Sequence, residues 1–164
     1  MNVSSPFRTG SVMLISDLLT QVRSSRTLSR EDAQKMQRFL YRGETLRSDD
    51  IDMMLALDEV AHRHDPAWKD LLCKAVVDFI VHQEKPSGSM NRDKSDWLLQ
   101  RVAHGGSIGP ASQLAVLTAV LAASRSCPDE LQVFALQEAK RTGIGTGSRA
   151  GLREAQPLRR AGGL

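Results

Sequence analysis

The stretch Asp65-Pro-Ala-Trp-Lys-Asp-Leu-Leu-Cys-Lys-Ala-Val-Val-Asp-Phe-Ile-Val-His82 decides the fold class. Its apolar residues leave one polar stripe, Asp70, Lys74, Asp78 and His82, at four-residue spacing. That spacing is helical, and a helix apolar nearly all round is buried among its neighbours. Asp65 before Pro66 marks the start, because proline suits the first helical position and an aspartate can accept from the free amides behind it. The stripe reads as a solvated seam carrying an i, i+4 charge ladder.

Segments on both sides repeat the helical pattern. Towards the N-terminus, Ser11 to Arg23 carries Val12, Ile15, Leu18, Leu19 and Val22 on one face. Ser29 caps a second helix with Asp32 in a capping-box place, and Gly43 ends it. Ser48 caps a third, whose Asp49, Asp50 and Asp52 oppose the positive helix end, with Ile51, Met54 and Leu55 as its apolar face. Towards the C-terminus, Asn91 caps a fifth helix with Trp97, Leu98 and Val102. Pro110 opens a sixth and Pro128 a seventh. No segment alternates as a strand does. The expected architecture is an all-α, compact single-domain bundle of about six to seven helices over residues 1–141, followed by a flexible Gly/Arg-rich tail over 142–164.

The 164 residues are enough for one core, which should be aliphatic because aromatics make up only 4%. The formal charge of +3 is accounted for by Arg149, Arg153, Arg159 and Arg160 against Glu154 in the tail, so the helical body is neutral. That disfavours a nucleic-acid-binding face, leaving the tail arginines to touch phosphate weakly. The middle of the chain, Ser48 to Glu84, is acidic and suits cations or basic partners. Cys73 and Cys127 stand apart from any second thiol, as in a reducing compartment. There is no secretory leader pattern and no run of about 20 apolar residues, so the expected location is cytoplasmic, without membrane insertion.

The chemistry-bearing residues cluster by helix ends. Glu59 and His62 form one Glu-x-x-His pair, where carboxylate-bridged di-iron bundles need two. His62, His64, His82 and His104 all fall in or just beyond the last turn of an expected helix, where capping of free carbonyls explains each. A divalent-metal site built from Glu59, His62, His64, Asp65 and His104 is the sharper alternative. The Asp49, Asp50, Asp52 run lacks the glycine and glutamate of an EF-hand loop, and Gly143-Ile-Gly-Thr-Gly147 follows a helix and lacks the lysine of a phosphate loop.

Several strings carry a family likeness: Ser48-Asp-Asp50, Leu57-Asp-Glu59, Asp65-Pro-Ala-Trp-Lys-Asp-Leu71, Lys74-Ala-Val-Val-Asp78 and Asp96-Trp-Leu-Leu99. Over Ser29 to Ala139 the chain resembles uncharacterised bacterial proteins related to the TerB-like tellurite-resistance family. The resemblance implies a cytoplasmic helical bundle with an acidic surface, linked to metal stress and to metal or partner binding. It would place that surface at Asp49, Asp50, Asp52, Asp58 and Glu59. The chain departs from the likeness at about Gly143, where a further helical block gives way to glycine and arginine, as truncation or a shifted reading frame would produce. The expected function is a non-enzymatic module binding a cation or a protein partner through its acidic segment. The alternatives are a metal-dependent hydrolase using Glu59, His62 and His104, and a nucleic-acid-associated regulator using the tail.

Overall fold

Local end signals set most of the elements. The computed structural model describes residues 7–43, 45–104 and 107–143, the side chains at 7–14, 104, 107 and 108 excepted. Helix α1 (Phe7–Ser25) runs longer than its apolar stripe, and Leu18 and Val22 bury its inner face. Ser29 starts α2 (Arg30–Leu40) through a complete capping box: the Ser29 hydroxyl accepts from the Asp32 amide at 3.2 Å, and Asp32 accepts from the Ser29 amide at 2.9 Å. Helix α3 (Ser48–Val60) begins one residue earlier than its serine suggests. Arg47 holds the cap position, and the Asp50 carboxylate accepts from its amide at 2.9 Å, leaving Ser48 as the first helical residue.

Helix α4 (Pro66–Val77) starts as expected, with Asp65 Oδ1 accepting from the Ala67 amide at 2.9 Å. Its continuation differs. From Asp78 to Gln83 the chain winds as a π-helix, where an unbroken α-helix was expected. The wider turn lets Phe79, Ile80 and Val81 all face inward. It also delivers Gln83 to Leu46, whose amide donates to Oε1 at 2.9 Å and whose carbonyl accepts from Nε2 at 2.6 Å. The charge ladder survives in part: Lys74 pairs with Asp78, and Tyr41 donates to the same carboxylate at 2.7 Å while its ring lies 4.4 Å below the Lys74 ammonium.

Helices α5 (Arg92–Val102), α6 (Ala111–Ala123) and α7 (Asp129–Arg141) complete the bundle. The described residues thus form an all-α bundle of seven α-helices and one π-helical segment. Two short strand pairs stitch the loops: β1 (Thr27–Leu28) runs parallel to β2 (Arg63–His64), and β3 (Ala103–His104) runs antiparallel to β4 (Ser107–Ile108). Two-residue strands are too short to leave any alternation in the sequence.

Helix α4 is the hub, packing most extensively on α6 and also against α2 and α3, while α7 lies on α6. Trp68, Leu72, Ala75 and Val76 are sealed from solvent at its centre. Cys73 and Cys127 are half-buried free thiols rather than core residues. Thr142 and Gly143 belong to the end of α7, since the Thr142 hydroxyl donates to the Glu138 carbonyl at 2.9 Å and Gly143 takes a φ of 77°. The expected tail from residue 144 onward lies outside the described residues.

The loop leading into α5 is held by a buried cation. Lys94 is 7% exposed, and its ammonium donates to the carbonyls of Glu84, Pro86 and Ser89 at 2.8, 2.7 and 2.9 Å. An ammonium has three hydrogens, and all three are used. Replacing Lys94 by Met should leave three inward-facing carbonyls without a donor and lower stability by about 2–3 kcal/mol. Urea unfolding midpoints of the two proteins check this.

Candidate functional site

The inner stripe of α3 runs Ile51, Met54, Leu55 and then residue 58, which is an aspartate. Asp58 is 0% exposed. It was expected on an acidic surface, and the structure corrects this: position 58 falls at i+7 from Ile51, on the face turned to the core.

Three donors from three other parts of the chain meet this carboxylate. The Trp68 indole N–H of α4 donates to Oδ1 at 3.1 Å, and the Ser112 hydroxyl of α6 donates to Oδ2 at 2.5 Å. His64 of β2 places Nε2 at 3.2 Å from Oδ1 and 2.9 Å from the Asp58 main-chain carbonyl. A carbonyl only accepts, so Nε2 carries the hydrogen. His64 thus caps the end of α3, as its position after that helix led one to expect, and binds the carboxylate as well.

Burial is the largest influence on the Asp58 carboxyl and pushes its pKa above the ordinary carboxylate value. The Ser112 hydroxyl, the charge His64 carries when protonated and the Trp68 indole pull it back, while neighbouring Glu59 adds a smaller upward push. A carboxyl that holds its proton more tightly when folded contributes stability that is present at low pH and lost as pH rises through its raised pKa.

The serine, histidine and aspartate do not form a nucleophile relay. In such a relay the histidine takes the proton of the hydroxyl. Here the Ser112 hydroxyl donates its hydrogen bond to the carboxylate, and His64 Nε2 faces the same acid. The set acts as a clamp joining α3, β2, α4 and α6. It abuts a cleft of about 650 Å³ lined by His64, Asp65 and Lys69 and, from α6, by Ser112, Ala115 and Ala119.

The other expected ligands go separate ways. Asp65 is engaged as the cap of α4 and lies 4.0 Å from Arg30. His62 is exposed, and its amide donates to the Arg26 carbonyl at 2.8 Å. Glu59 accepts from the Gln113 side-chain amide at 3.4 Å. The side chain of His104 lies outside the described residues, although its backbone pairs with Ser107. Among the described residues no group of three or more His, Cys, Asp or Glu side chains is placed to hold a metal ion. Glu59, His62, His64 and Asp65 are therefore not brought together as the ligand set the sequence suggested.

The acidic start of α3 keeps its surface position in part. Asp49 lies 3.6 Å from Arg47, and Asp50 is spent on the Arg47 amide. Asp52 pairs with Arg101 of α5, whose guanidinium stacks 3.8 Å over the Trp97 ring. Beside this contact, Phe79 and Trp97 form an aromatic pair with centroids 5.4 Å apart. Both line a cleft of about 400 Å³ between the start of α3, the π-helical segment and α5. Ser48, Glu84, Asp93 and Lys85 stand at the same cleft, and the Lys94 cage fixes the loop that bears Glu84. Sequence reading missed this cleft because its lining comes from three segments and its two acids, Glu84 and Asp93, from two of them. Asp93 at the exposed start of α5 was its one visible sign.

No protein-family model matches the chain, and comparison with curated proteins and with solved structures likewise finds no match. The class the structure defines is an all-α helical bundle. No helix among the described residues is long and apolar enough to cross a membrane.

Two substitutions test the clamp. Asp58→Ala leaves the Trp68 and Ser112 donors buried without an acceptor and should cost roughly 3–5 kcal/mol in denaturant unfolding. Asp58→Asn removes the titration, so the stability of wild type relative to this variant should fall as pH rises through the raised Asp58 pKa. A pH series of urea midpoints reads it directly.

Proposed function

We propose that the protein is a non-enzymatic helical module, of the TerB-like kind its central segment resembles, that binds a basic protein partner in the cytoplasm. The observation that carries this reading is the cleft between α3, the π-helical segment and α5. It has an aromatic floor in Phe79 and Trp97 and carboxylates at Glu84 and Asp93, with Asp49 exposed on the neighbouring helix start. A lysine or arginine chain lays its apolar stem on aromatic surface and its charge against carboxylates. Lys94, the cation buried at the cleft's edge, spends its three hydrogens on backbone carbonyls and donates none to those carboxylates, although its charge is felt at Glu84.

A protein partner is favoured over a bare cation because Asp50, Asp52, Asp58 and Asp65 are each engaged within the fold. A role in metal stress, which the TerB-like resemblance implies, would then run through the partner.

The test is titration with a lysine- and arginine-rich peptide, followed by Trp97 fluorescence in wild type and in a Glu84→Gln, Asp93→Asn double variant. Wild type should bind with an affinity that falls as salt rises, and the variant should bind several-fold more weakly. Equal binding by both proteins, or equal binding of an acidic peptide, sinks the reading. Calorimetric titration with zinc, manganese and calcium covers the cation alternative: stoichiometric binding lost in His62→Ala, Glu59→Gln would replace the partner reading with a metal site.

A further inference from the structure

Helix α7 turns two different faces to its surroundings. Leu131, Ala135 and Glu138 point into the bundle against α6. At about 100° per residue, the opposite side of the helix carries Asp129, Val133, Leu136 and Lys140, all exposed. Val133 is 52% exposed and Leu136 is 58% exposed, the two most exposed of the three exposed large apolar residues among the described side chains. The spacing of the outer stripe is four, three, four, which is the seam spacing of a coiled coil.

The stripe has a reversed symmetry. Val133 and Leu136 straddle the middle of α7, with an acid one turn before them and a base one turn after. Among the described residues neither Asp129 nor Lys140 takes part in an ion pair. Turned end for end, the stripe complements itself: Asp129 meets Lys140, Val133 meets Leu136, and the same contacts recur on the other side of a two-fold axis. Beside it, α6 and α7 bound a groove of about 850 Å³, with Thr118 and Leu121 on its far wall, into which neighbouring side chains of a second helix can settle. A self-complementary patch is what an isologous contact requires.

We propose that α7 is a homodimerisation helix, pairing antiparallel with α7 of a second copy of this chain around Val133 and Leu136. Pairing covers the apolar centre and sets opposite charges together at both ends. The surface lies on a different helix from the acidic cleft, so the dimer would present two such clefts, and the inference stands apart from the proposed partner.

Sedimentation equilibrium of the full chain over the micromolar-to-millimolar range tests it, with circular dichroism confirming that each variant is folded. Wild type should shift with concentration from one chain mass to two. Leu136→Glu, at a position already exposed, should remain at one. Asp129→Lys and Lys140→Glu should each weaken the dimer, because each sets like charges opposite one another. The double variant restores the pairs in reverse and should recover association, although both changes oppose the dipole of α7 and lower its thermal midpoint. Recovery of mass together with loss of stability cannot come from a role within one chain. A wild type of one chain mass at every concentration overturns the proposal, as does a Leu136→Glu variant that dimerises like wild type or a double variant no better than the weaker single one.

Discussion

A carboxylate sealed from water has to be compensated where it sits, and Asp58 is the point on which the rest of the bundle depends. Removing a charged group from solvent costs several kcal/mol unless protein donors replace the lost water. Trp68, Ser112 and His64 supply those donors from α4, α6 and β2. Hydrophobic packing around Trp68 would tolerate small slides of one helix along another. Two hydrogen bonds and a histidine contact converging on two carboxylate oxygens do not, so the clamp sets how α3, α4 and α6 meet. The same bonds occupy the serine and histidine that would otherwise invite a catalytic interpretation.

Lys94 answers the same problem with the opposite charge. Its partners are main-chain carbonyls from one loop, Glu84 to Ser89, so the ion organises a local turn rather than a junction of helices. That turn is tied onward, since Gly88 accepts from the Arg125 amide and the Met90 amide donates to Ser126. The loop after the π-helical segment is thereby fixed to the start of α5 and to the end of α6. Its Glu84 and Asp93 of α5 line a common cleft as a result. The π-helical turn contributes by bringing Phe79 inward beside Trp97 while Gln83 holds the segment before α3. Position and charge at the cleft thus follow from two features, a buried lysine and a widened turn, that lie behind it.

Much of this architecture was legible residue by residue. Asp65-Pro66 and Ser29 with Asp32 mark helix starts because capping is a contact between near neighbours, and the structure contains both. His64 as a carbonyl cap was likewise within reach, because its partner lies six residues away. The start of α3 slipped by one residue where a carboxylate at Asp50 competed with the hydroxyl of Ser48. The placement of Asp58 could have been read from the Ile51, Met54, Leu55 stripe, had the family resemblance not set it on an acidic surface.

The sequence by itself determined that this chain is helical, where most of its helices begin and which sides of them are apolar, because those properties arise from contacts within a few residues. Only the tertiary structure decided that Asp58 is buried and Glu84 stands with Asp93, and that the proposed ligands Glu59, His62, His64 and Asp65 do not converge. Ser112 lies 54 residues from Asp58 and Arg101 lies 49 from Asp52, and no local spacing encodes a meeting at that range. It is fixed by how whole helices pack, and by the need to give every buried charge a partner.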